Sequence, residues 1–79
     1  MSNPPSTSPL ATEVIKPEES AESITVDYWP NMAVITRHDA KGDMVDGALR
    51  DWPANTLEET MWFFRSRFEH ALRAAASRS

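Results

Sequence analysis

SITVDYWPNMAVITRH, residues 23–38, decides the fold. Ile24, Val26 and Tyr28 alternate with Thr25, Asp27 and Trp29, the two-residue period of a strand that buries one face and leaves the other uncovered. Trp29-Pro30-Asn31-Met32 then reverses the chain, because proline sets one turn dihedral and asparagine tolerates the left-handed conformation after it. Met32 to His38, with the β-branched Val34, Ile35 and Thr36, reads as the returning strand. The pair is an antiparallel hairpin.

Toward the C-terminus, Asp39-Ala40-Lys41-Gly42-Asp43 makes a second turn, with Gly42 as its left-handed residue. Met44 to Trp52 is expected to form a third strand, weakened or bulged at Gly47. The alternative is a long ordered loop beside a two-stranded sheet. Pro53-Ala54-Asn55 ends this segment, and Thr56-Leu57-Glu58-Glu59 fits a capping box at a helix start. At about 100° per residue, Leu57, Met61, Phe64, Phe68, Ala71, Leu72 and Ala75 share one stripe, as a helix lying on a sheet requires. Arg65, Glu69 and Arg73 follow one another at i,i+4 spacing on the opposite side, fit for ion pairs. The expected fold is α+β, a three-stranded antiparallel β-meander followed by one amphipathic helix packed on the sheet.

On the N-terminal side, residues 1–22 hold Pro4, Pro5, Pro9 and Pro17 with serines, threonines and Glu13, Glu18, Glu19 and Glu22. Such a composition buries too little apolar surface to offset its ordering entropy, so a disordered leader is expected ahead of a single domain over 23–79. One apolar patch, Leu10 to Ile15, interrupts it and offers the alternative of an added strand, or of a cover folded over the helix.

The chain has 79 residues, no cysteine, two histidines and two glycines. One small core is all that this length supports, and neither disulfides nor thiolate metal sites can staple it. Eight basic against twelve acidic side chains give a formal net charge of −4, which disfavours generic binding to nucleic-acid phosphates. No apolar run approaches the length of a membrane span, and the first residues do not resemble a signal peptide, so a cytoplasmic location is expected.

Catalysis needs convergent groups, and none emerge. His38 and Asp39 sit side by side at a turn, where neighbouring side chains diverge. Asp39, Asp43 and Asp46 surround Gly42, but Lys41 intrudes and the closing glutamate of a calcium loop is missing. The expectation is therefore no enzyme, no cofactor and no metal. The aromatics say more. Trp62 projects about 160° from Phe64 and Phe63 about 100°, so one sheet face cannot bury them all. Trp62 and Phe63 with Arg65, Arg67 and Arg73 beside them have the composition of a protein-binding hot spot. Trp29 falls on the uncovered sheet face, either as a further contact or stacked on Trp52. These residues suggest a small regulator or inhibitor of a larger protein, of the kind carried by a phage or mobile element. The alternatives are a homodimer joined through the helix and a single-strand nucleic-acid binder using Trp29 and Tyr28.

Overall fold

The computed structural model describes residues 8–78. Five elements follow one another: β1 (Ala11–Ile15), β2 (Ser23–Trp29), β3 (Met32–His38), β4 (Met44–Asp51) and α1 (Leu57–Ala76). The strands form one antiparallel sheet in sequential order, with α1 packed on one face.

The sheet therefore has four strands where three were expected. Ala11–Ile15, assigned by composition to a disordered leader, pairs along β2 with Ala11 opposite Tyr28, Glu13 opposite Val26 and Ile15 opposite Ile24. Leu10 N–H extends the ladder to Tyr28 O at 2.7 Å. The physical reason is tertiary: Ile15 is buried beside Ile24 on the helix side, and the acid at Glu13 finds a cation there instead of water. The turn back to β2 is fastened by Ser20, whose hydroxyl donates to Glu22 O and whose N–H donates to Pro17 O. The expectation of disorder for residues 1–7 lies outside the described residues.

β2 behaves as its alternation requires. Ile24, Val26 and Tyr28 are buried, whereas Thr25, Asp27 and Trp29 lie half-buried on the far face. Asn31 adopts φ 61° in the β2–β3 turn and Gly42 φ 88° in the next, the two left-handed positions expected of these residues. Met44–Asp51 is a full strand, which settles the choice between strand and loop. The register irregularity falls at Arg37/His38, where Val45 is the extra residue on β4, and not at Gly47.

Thr56 caps α1, its hydroxyl accepting from Glu59 N–H at 3.1 Å. The core consists of Ile15, Ile24, Val26, Tyr28, Ala33, Phe64 and Leu72, with Leu57, Met61 and Phe68 packed against it. Ala71 and Ala75 are exposed, contrary to the expected stripe, and Thr60 is buried in their stead. The contact line turns around the helix because α1 crosses the sheet over β1 and β2 and leaves β4 uncovered. No helix among the described residues is long and apolar enough to cross a membrane.

Candidate protein-binding surface

Helix geometry separates the aromatics of α1. Phe64 points into the sheet, tilted against Tyr28 with ring centroids 6.3 Å apart and stacked on Phe68 at 5.5 Å. Phe63, one residue earlier, swings to the flank. It meets Phe64 edge-on at 5.9 Å and stays 40% exposed. Trp62 points away from the sheet and is 69% exposed; β1, the alternative cover for the helix, lies in the sheet instead.

The three arginines expected beside these rings have different fates. Arg65 turns under the helix to Glu13, with its Nε 2.7 Å from Glu13 Oε2 and its Nη2 on the same oxygen. Glu13 is buried and also lies 3.4 Å from the Tyr28 hydroxyl, which donates to it. Arg65 is thus bound into the domain, and the hydrogen bond to Glu13, followed by the carboxylate charge, holds its guanidinium above the usual arginine range. The expected i,i+4 pair from Arg65 to Glu69 gives way to this long-range one. Arg73 bridges to Glu19 at 3.1 Å and to Glu69 at 3.8 Å, the second being the expected helical pair. Arg67 makes no ion pair among the described residues and stands between Trp62–Phe63 and a groove toward β4.

That groove, of about 380 Å³, runs between α1 and the uncovered half of the sheet, with Ile35, Ala48, Phe63 and Phe68 among its apolar walls and Arg50 and Arg67 at its rim. Sequence reasoning missed it, since it depends on where the helix crosses. Arg50 at an exposed strand position was the available signal.

Trp29 sits at the end of β2 opposite Met32, on the uncovered face with Val14, Met32 and Leu49. It does not stack on Trp52. The Trp52 indole N–H donates to Met32 O at 2.9 Å and its ring packs against the core. Asp27, beside Trp29, accepts from the Thr12 hydroxyl at 2.7 Å. At the other end, Asp39 Oδ1 accepts from Lys41 N–H and Asp43 N–H, and a His38 ring nitrogen lies 3.2 Å from Gly42 O. These groups shape a turn and do not converge on one another. Comparison with known proteins returns no match among family models, curated proteins or solved structures.

Proposed function

We propose that this chain is a non-enzymatic protein-binding module, a small regulator or inhibitor that docks on a larger protein through the outer face of α1. The observation that carries the reading is Trp62, a tryptophan 69% exposed in the second turn of α1, with half-exposed Phe63 and unengaged Arg67 beside it. Burying such a ring and an arginine in a partner's pocket supplies most of the energy of many interfaces. Because Arg65 and Arg73 are held by acids of this chain, Arg67 is the cation offered to a partner's carboxylate.

The test is recovery of tagged protein from its native cell, followed by titration calorimetry with the purified partner. Trp62→Ala is expected to weaken binding by about 30-fold or more, a hot-spot loss on the order of 2 kcal/mol. Its melting temperature should stay close to that of the parent, because Trp62 supports nothing in the core. Undiminished affinity in Trp62→Ala would move the docking site off this face.

A further inference from the structure

The sheet has two edges, β1 and β4, and they are built differently. Pro9 and Pro17 bracket β1, and its central residue is Glu13, so pairing with a copy of itself about that residue would set two buried carboxylates opposite each other. β4 carries a bulge at Val45 near one end and Pro53 beyond the other, but its centre, Gly47 and Ala48, bears no charge. Seven of its eight residues are exposed, Leu49 by 61%.

The hydrogen bonds along β4 show what its open side lacks. Gly47 N–H faces outward and donates to Oδ1 of the preceding Asp46 at 2.9 Å. Leu49 C=O also faces outward and accepts from Arg50 Nη1 at 3.2 Å. Two side chains thus occupy backbone groups that a further strand would take. Neither Asp46 nor Arg50 makes an ion pair among the described residues, since Arg37, opposite Asp46 on β3, reaches Glu22 instead. Nor does the chain itself require glycine at position 47. Its φ is ordinary, and an added Cβ would meet only Ile35 O at 3.7 Å.

We propose that β4 pairs antiparallel with β4 of a second copy about a twofold axis through Ala48. In this register Gly47 lies opposite the partner's Leu49. Both turn their N–H and C=O outward, so they form a hydrogen-bonded pair and replace the two side-chain bonds. Asp46 and Arg50 are released, and Asp46 then lies opposite the partner's Arg50 at the closer, non-hydrogen-bonded spacing of about 4.5 Å between Cα atoms. Leu49 covers the partner's Gly47, which accounts for the glycine. Registers centred on Gly47 or Leu49 put Ala48 opposite a charge instead. The product is an eight-stranded sheet with both helices on one side and both Trp62 rings clear, so the pairing is independent of the helix surface. One strand pair is a small interface, and a dissociation constant on the order of 100 μM is expected.

Sedimentation equilibrium of the full chain, from about 10 μM to about 1 mM, tests this. The parent should show reversible dimerisation. Asp46→Arg and Arg50→Asp each set like charges opposite at two symmetric positions and should weaken it about tenfold or more. The double reversal should restore it. Ala48→Cys should cross-link to a dimer on oxidation, without ambiguity in a chain that has no other cysteine, and Asp46→Cys should not. Circular dichroism reports whether each variant is folded, and the cross-link stands independently of the charge variants. A monomer throughout, single reversals without effect, no rescue in the double variant, or a dimer lost in Trp62→Ala would overturn the proposal.

Discussion

At the scale of single residues, the Glu13, Tyr28 and Arg65 cluster carries the sharpest electrostatic consequence. Tyr28 is fully buried, and burial first, then the Glu13 charge and hydrogen bond, push its phenol well above the usual tyrosine range, against a smaller opposing pull from Arg65. In the unfolded chain the same phenol ionises near its ordinary value of 10.0. Above that pH the unfolded state binds fewer protons than the folded state, so stability falls as pH rises. The expected outcome is a melting temperature that declines from about pH 10 upward, with the decline reduced in Tyr28→Phe. Tyr28 is the only tyrosine, so absorbance of the phenolate reads it directly, and titration of the folded protein near pH 10 would contradict the buried cluster.

At the scale of elements, the strands of the hairpin, the two turns and the helix cap were legible because each follows from a local signal: alternation in β2, β-branched residues in β3, Asn31 and Gly42 at positive φ, and Thr56 at the helix start. β1 was not. It spans five residues between prolines, and one of its two buried positions is an acid, so alternation there reads as polar composition. Only the partner Arg65, 52 residues away, makes Glu13 an inward residue. The same partner explains why one expected site arginine is unavailable to a ligand. A chain starting at Ser23, the boundary that composition suggests, is therefore expected to lose its cooperative melting transition, because it uncovers Ile24 and Val26 and removes Ile15 from the core. Thermal unfolding followed by circular dichroism checks this; a shortened chain with the parent's transition would make β1 an accessory strand.

At the scale of the whole molecule, stability is distributed unevenly across the sheet. α1 lies over β1 and β2, and the buried core draws on β1, β2, β3 and the helix, while β4 contributes no buried residue. Yet β4 pairs along β3 in one register from Asp46 to Asp51, and beyond the bulge at Val45 the ladder closes with Met44 opposite His38. Backbone bonds without buried side chains give a strand that can detach while the rest of the core stays closed. Hydrogen exchange is therefore expected to rank the strands. At low micromolar concentration the amides of β2 should exchange only through global unfolding. The inward-facing amides of Ala48 and Arg50 should exchange through a partial opening that costs at least about 1 kcal/mol less. Equal protection in both strands would mean that β4 is anchored as firmly as the core. Raising the concentration should slow exchange at Gly47 and Leu49, whose amides face away from β3, because a second copy of β4 would then occupy the open edge.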